Sequence, residues 1–241
     1  MTETASSSDD QAASDDADEQ EKPSAPTRVV LVRHGVTEHT GPILSGRLPG
    51  IDLSDRGTEQ ANATAERLAS LPVSAVYASP IERTTQTARL IADRLGLQVL
   101  PLVGVIEADY GDWTGGKIAD LAKTDEWKIV QVAPSRAVFP GGEALRDMQA
   151  RTVAALEGVV AAHPNETVVV VSHADPIRSA IAHFTGMHLD LFQRLDVAPA
   201  SITVLQFSRF GAQLLKYSDT GTLDELVPPP HDDTAETQET S

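Results

Sequence analysis

The chain has 241 residues, 41% of them apolar, no cysteine and a formal charge of −16, which allows one large domain or two small ones around a sizeable core. Without cysteine there are no disulfides, thiolate metal sites or thiol nucleophiles, so a nucleophile must be Ser, Thr, His, Lys or a carboxylate. There is no basic stripe, aromatic-interleaved RNA motif or zinc-finger spacing to suggest a nucleic-acid partner, and no run of roughly eighteen apolar residues to span a membrane.

The charge is concentrated at the ends. Met1 to Thr27 holds eight acidic residues against Lys22 alone, and Pro228 to Ser241 holds four with no Lys or Arg. Segments this acidic and this poor in large apolar residues do not offset the entropy cost of ordering, so residues 1–27 and 228–241 are expected to be disordered tails around a domain at 28–227. The first segment lacks the basic and apolar regions of a secretory leader, and a cytoplasmic protein is expected.

Arg28-Val29-Val30-Leu31-Val32-Arg33-His34-Gly35 opens the domain. Its unbroken apolar run reads as a strand buried on both faces, and such strands belong inside parallel sheets. After a Gly- and Pro-rich stretch to Asp52, Ser54 is placed to cap a helix that runs through Leu68 and ends before Pro72. Ser74 to Ser79 reads as a second buried strand, with a helix from Ile81 to Leu95 stopped by Gly96, and Gln98 to Leu100 as a short third strand. A loop with the carboxylates Glu107, Asp109 and Asp112 follows. Residues 116–142, with a helix expected over Ile118 to Val132, read as a short cap. Glu143 to Ala162 has helical periodicity; Thr167 to Val171 is another apolar strand, and it ends in Ser172-His173-Ala174-Asp175-Pro176. A helix over Ile177 to Phe184 and a hairpin of Ser201 to Phe207 with Gln213 to Tyr217 complete the pattern. Alternating strands and helices predict an α/β three-layer sandwich with a mostly parallel central sheet.

The same arrangement occurs twice, an apolar strand that delivers a histidine at its carboxyl end: His34 after Arg33, then His173 after Ser172. Right-handed crossovers bring such ends to one edge of the sheet, and the strand ending at Ser79 adds a helix amino terminus with Arg83. Two arginines, two histidines and a helix dipole suit a tetrahedral dianion.

These residues resemble the histidine phosphatase superfamily, the phosphoglycerate mutase-like family. The resemblance covers roughly residues 28–217. It rests on Leu31-Val32-Arg33-His34-Gly35-Val36-Thr37-Glu38, Leu53-Ser54-Asp55-Arg56-Gly57, Ala78-Ser79-Pro80-Ile81-Glu82-Arg83-Thr84-Thr85-Gln86-Thr87-Ala88, Gly111-Asp112-Trp113-Thr114-Gly115, Gly141-Gly142-Glu143 and Val171-Ser172-His173. It implies a phosphoglycerate mutase-like fold and a phosphatase that uses a phosphohistidine intermediate, no cofactor and no metal. In that reading His34 is the nucleophile, and Arg33, Arg83 and His173 hold the phosphoryl group. A carboxylate near Glu107 is the general acid, with Glu107 favoured by its spacing before Gly111 and Asp109 second; Asp112 is expected at the surface.

The chain departs from the family pattern at three positions. Thr40 stands where an asparagine commonly binds phosphate, Thr114 replaces a common glutamate, and Ala174 replaces a common glycine. Thr40 still offers a hydroxyl, so Thr40 and Ala174 join Arg33, Arg83 and His173 as substrate-binding candidates. His39, His163, His183, His188 and His231 show no metal-ligand spacing and are expected in packing or at the surface.

The partner implied is a small phosphorylated metabolite, and the sequence leaves the oligomeric state open. A phosphomutase is the rival within the family, with Lys117, Lys123, Lys128 and Arg136 of the cap as possible ligands for a second anion. A non-catalytic phosphate-ligand sensor is the rival from another class. A serine hydrolase built on Ser172 and His173 is disfavoured, because adjacent strand side chains point to opposite faces.

Overall fold

The structure, a computed structural model, describes residues 25–222 together with Thr2. Most of both expected tails therefore lies outside the described residues. Among the described residues six strands form one sheet: β1 (Thr27–Arg33), β2 (Val73–Ala78), β3 (Val99–Pro101), β4 (Thr167–Ser172), β5 (Ile202–Ser208) and β6 (Gly211–Asp219). Thr27, placed with the tail on sequence, is the buried first residue of β1. The order is β3-β2-β4-β1-β5-β6. The pairs β1/β4, β2/β4 and β2/β3 are parallel, while β5 runs antiparallel to β1 and β6 antiparallel to β5. The sheet is thus mostly parallel, with the expected hairpin at one edge.

Among the described residues six α-helices accompany it: α1 (Asp55–Leu68), α2 (Glu82–Leu95), α3 (Ile118–Leu121), α4 (Asp125–Val132), α5 (Leu145–Ala162) and α6 (Ala174–Phe184). The alternation of side chains along a strand explains the layering. Val30, Val32, Val169 and Val171 pack with Ala65 and Leu68 of α1 and Ala88 and Ile91 of α2. Val29, Leu31, Val168 and Val170 pack on the opposite face with Leu156 and Val159 of α5 and Ile177 and Ile181 of α6. A third cluster joins the cap to the body through Trp113, Val130, Phe139, Met148 and Phe192.

Local chemistry accounts for the element ends. Ser54 caps α1 by accepting from the Gly57 amide at 3.2 Å, and Gly96 ends α2 at φ +69°, a left-handed conformation that glycine adopts without strain. The single cap helix expected over Ile118 to Val132 is two helices instead. Thr124 closes α3 by donating to Leu121 O and caps α4 by accepting from Trp127 N, so one side chain both stops and restarts the chain. The next helix starts at Leu145 rather than Glu143, whose carboxylate is engaged elsewhere. Helix α6 begins at Ala174, three residues earlier than expected, because Pro176 fits the first turn of a helix, where its missing N–H is not needed. His173 thereby becomes the residue that joins strand to helix.

Gly35 and Gly57 let the segment after β1 lie directly on the start of α1: a Cβ on Gly57 would collide with Val36 O, and one on Gly35 with Gly57 O. Both neighbours are backbone and cannot swing aside. Gly57→Ala is therefore expected to cost at least about 1–3 kcal/mol in urea unfolding. Gly158 lies in α5 with open space where its Cβ would sit, and Gly158→Ala is expected to add about 0.5–1 kcal/mol. Equal effects from the two substitutions would show that the Gly35–Gly57 contact is not tight.

Candidate active site

Parallel pairing of β1 with β4 sets Arg33 opposite Ser172, so the next residues, His34 and His173, leave the sheet at the same edge. Their ring centroids are 5.3 Å apart at an interplanar angle of 64°. Strand β2 ends beside them, with Ser79 N donating to Val171 O, and Arg83 follows in the first turn of α2.

Arg83, only 2% exposed, organises the centre. Its Nε donates to His34 Nε2 at 3.2 Å, and its Nη2 donates to Gly46 O at 2.8 Å and His173 Nδ1 at 3.2 Å. Its Nη1 is buried without a partner, as is the Nε of Arg33. The Nη1 of Arg33 is held by Val197 O at 2.6 Å.

His34 Nδ1 donates to Gly35 O at 2.7 Å, so its Nε2 carries the lone pair that faces Arg83. Burial first, then the Arg83 and Arg33 charges, hold the His34 pKa well below the ordinary imidazole value. His173, fully buried, is lowered in the same way, by burial and then by Arg83, His34 and Arg33. Since Arg83 donates to Nδ1 of His173, the opposite nitrogen Nε2 donates to Ser79 Oγ at 2.8 Å.

Glu107 is 7% exposed. Its Oε1 accepts from Ala108 N at 3.0 Å, and its Oε2 lies 3.8 Å from His173 Nδ1. Burial, reinforced by the Asp175 charge and opposed by Arg83, pushes its carboxyl up to about 7. Two arginines hold its main chain: Arg47 Nε donates to Glu107 O at 2.8 Å and Arg151 Nη2 at 3.1 Å. Both also bind Glu143, which Arg151 contacts through Nη2 at 2.6 Å and Nε at 3.1 Å. Burial works against a charged Glu143, yet the hydrogen bonds from Arg151 and Asp109 N keep its carboxyl below the usual range. The Gly141-Gly142-Glu143 motif thus fixes the loop that carries Glu107.

These groups border a cavity of about 360 Å³ between the sheet edge and the cap. Arg33, His34, Thr40, Arg83, Glu107 and Ala174 line it; His173 lies behind this lining and touches it through Arg83. Thr40 Oγ1 accepts from Thr37 N at 2.9 Å. Asp109 is outside the lining, tied to Arg47 and Gly111 N, and Asp112 is exposed. His39, expected in packing or at the surface, lines the cavity beside Ser45. His163 binds Tyr77 and Glu166, His183 and His188 are exposed, and His231 lies outside the described residues. Ser172 Oγ donates to Val105 O, away from His173. None of Lys117, Lys123, Lys128 and Arg136 lines the cavity; Lys123 and Lys128 pair with Asp120 and Asp125 on the surface.

The sequence reading gave no role to Ser79, Thr37, Tyr110, Asp175 or Arg178. Tyr110 donates to Asp175 Oδ2 at 2.9 Å, Arg178 donates to Asp175 Oδ1 at 3.3 Å, and all three line the cavity. The spacing of Asp175 and Arg178 on one helix was a usable signal; the approach of Tyr110 was not encoded locally. Among the described residues no three His, Asp or Glu side chains cluster to hold a metal ion, and no helix is long and apolar enough to cross a membrane.

A neutral imidazole, guanidinium N–H groups without partners and a carboxyl with a raised pKa, set at the carboxyl edge of a mostly parallel sheet, suit phosphoryl transfer in an α/β fold. The chain belongs to the histidine phosphatase superfamily, whose branch 1 pattern matches residues 29–220. It is 32% identical over 209 residues to phosphoserine phosphatase 1 of Hydrogenobacter thermophilus, covering 85% of this chain and 98% of that protein. It is also 32% identical over 203 residues to a bifunctional protein of Mycobacterium tuberculosis, covering 82% of this chain but 55% of that longer protein. The solved structure of mycobacterial glucosyl-3-phosphoglycerate phosphatase with VO3 superposes with a TM-score of 0.73 at 26% identity, covering 80% and 99% of the two chains.

Ser79→Ala removes the partner of His173 Nε2 within a fully buried pair. The expected cost is about 1–3 kcal/mol in urea unfolding, with the Nε2–H tautomer of His173 retained in nitrogen NMR because Arg83 still donates to Nδ1. Loss of the single tautomer would show that Ser79 and not Arg83 sets it.

Proposed function

We propose that the protein hydrolyses small phosphomonoesters without a metal, through a phosphohistidine on His34. The observation that carries this is the Nδ1–Gly35 O bond, which leaves Nε2 unprotonated beside Arg83 inside the cavity. His34 Nε2 attacks phosphorus in line as the ester P–O bond breaks, and Arg33 and Arg83 stabilise the equatorial oxygens. Once Arg83 turns its Nη2 from His173 to the phosphoryl oxygens, Ser79, whose hydroxyl donates as readily as it accepts, lets His173 carry its proton on Nδ1 and donate it to the same oxygens. Glu107 gives its proton to the departing alkoxide. As a carboxylate it then takes a proton from water, which attacks phosphorus, breaks the N–P bond and releases phosphate.

Hydrolysis is favoured over a mutase because the cap cations available for a second anion do not line the cavity. The names of two relatives, phosphoserine phosphatase and glucosyl-3-phosphoglycerate phosphatase, support a small phosphorylated metabolite as substrate.

Acid-labile, base-stable phosphoryl label should appear on the His34 peptide during turnover. His34→Ala should abolish phosphate release, while EDTA should leave it intact. Label at another residue, or activity restored only by a divalent ion, would refute the mechanism.

Glu107 acts in its protonated form and its pKa is raised to about 7, so kcat/KM should fall as pH rises through about 7. His34 acts in its neutral form and its pKa is lowered, so activity should persist well below pH 6.5. Glu107→Gln should remove the basic limb. It should slow an alkyl phosphate by about a hundredfold or more, while sparing an ester of an acidic phenol that leaves without a proton. Arg83→Ala should slow both. If Asp109→Asn shows the leaving-group dependence instead, the acid is two residues further along the loop.

A further inference from the structure

We propose, building on the hydrolase reading, that the alcohol released is uncharged and presents an apolar ring face, and that a second anionic group on it is disfavoured. The juxtaposition behind this is a phosphate end rich in guanidinium facing a cap whose cavity-lining residues, Ile118, Trp127, Val130, Gln131 and Phe139, are all uncharged. Trp127 is backed by Trp113, with ring centroids 5.9 Å apart, so the cap presents a supported aromatic wall.

Charge balance supports the same assignment. With His34 neutral and Glu107 protonated, the cavity holds the guanidiniums of Arg33, Arg83 and Arg178 against the carboxylate of Asp175. Two positive charges remain, and a phosphoryl dianion consumes both. Arg178 is charge-paired: it donates to Asp175 at 3.3 Å and lies 3.7 Å from Asp196, while its Nε is buried without a partner. A carboxylate or second phosphate on the alcohol would face Asp175 with a cation whose charge is already balanced, whereas a neutral hydroxyl or ring oxygen can accept from that Nε–H without adding charge. Gln131, Gln193 and the Asp175–Arg178 pair instead offer donors and acceptors suited to hydroxyl and ring oxygens. A cavity of about 360 Å³ is of the size that takes a small ligand. The alcohol read from this site differs from those of phosphoserine and glucosyl-3-phosphoglycerate, which carry a carboxylate.

The test compares kcat/KM for four esters of unactivated alcohols: cyclohexylmethyl phosphate, a hexose 6-phosphate, phosphoserine and 3-phosphoglycerate. Both neutral-ring esters should exceed both carboxylated esters by about tenfold or more. Trp127→Ala should lower the neutral-ring values about tenfold and change the phosphoserine value less than about twofold. Gln131→Lys, at an exposed position of α4, should raise 3-phosphoglycerate relative to the hexose ester. A wild-type preference for either carboxylated ester, an equal loss on all four substrates in Trp127→Ala, or no gain in Gln131→Lys would overturn the proposal while leaving the hydrolase reading intact. Release of phosphate from none of the four would overturn both.

Discussion

A guanidinium that is 2% exposed and donates only to neutral acceptors is an expensive object in a protein interior, and Arg83 is one. Burial pulls its pKa down, and its Nη1 keeps an unused N–H inside the site. Arg33 repeats the pattern, lowered by burial and by Arg178, with an unpartnered Nε. Two desolvated cations that border one cavity persist there only if the framework around them is rigid. The electrostatic complement of such a pair is a multiply charged oxyanion, which supplies the acceptors and the negative charge that the protein does not.

The rigidity comes from backbone geometry more than from ion pairs. Strands β1 and β4 are held in a register that leaves no freedom in where His34 and His173 emerge. The segment after β1 rests main chain against main chain on the start of α1, a contact that only Gly35 and Gly57 permit. Across the cavity, Ala108, Tyr110 and Trp113 seat the Glu107 loop in the cap's apolar cluster. The Glu107 carbonyl is in addition gripped by Arg47 and Arg151, which are fixed by Glu143. A forked guanidinium on a carboxylate sets direction as well as distance, so the Glu107 carboxyl is aimed through its main chain while its side chain accepts from the Ala108 amide.

Features controlled by local sequence were legible from it: the β-branched runs of β1 and β4, the Ser54 cap, the Gly96 stop and the strand-end positions of Arg33, His34 and His173. The cap was read less well. Thr124 breaks a helix that periodicity alone extends, because a side chain bonded to its own backbone competes with the helix at a position where no Gly or Pro announces a break. Ser79 escaped notice because a serine at a strand end is ordinary until its partner is known, and that partner comes from β4. His39 looked like a surface residue because nothing near it in sequence shows that the loop it occupies folds over the cavity. Asp175 and Arg178 are spaced i, i+3 on one helix, but Tyr110 meets them only in three dimensions. Long-range contacts of this kind leave a trace in the residue types and none in their spacing.

Protonation at the site follows from burial acting on groups of opposite charge type. Desolvation disfavours the charged form of each group, so it lowers His34 and raises Glu107 together. A neutral His34 imidazole and a protonated Glu107 carboxyl are therefore present in the same pH range. The same shifts work against the fold. A glutamate whose carboxyl is raised to about 7 takes stability away as pH rises from the unfolded value toward 7, and histidines held well below 6.5 take it away as pH falls below 6.5. The domain must offset both losses elsewhere. The two apolar layers packed on opposite faces of β1 and β4 are the part of the structure with enough buried surface to do so.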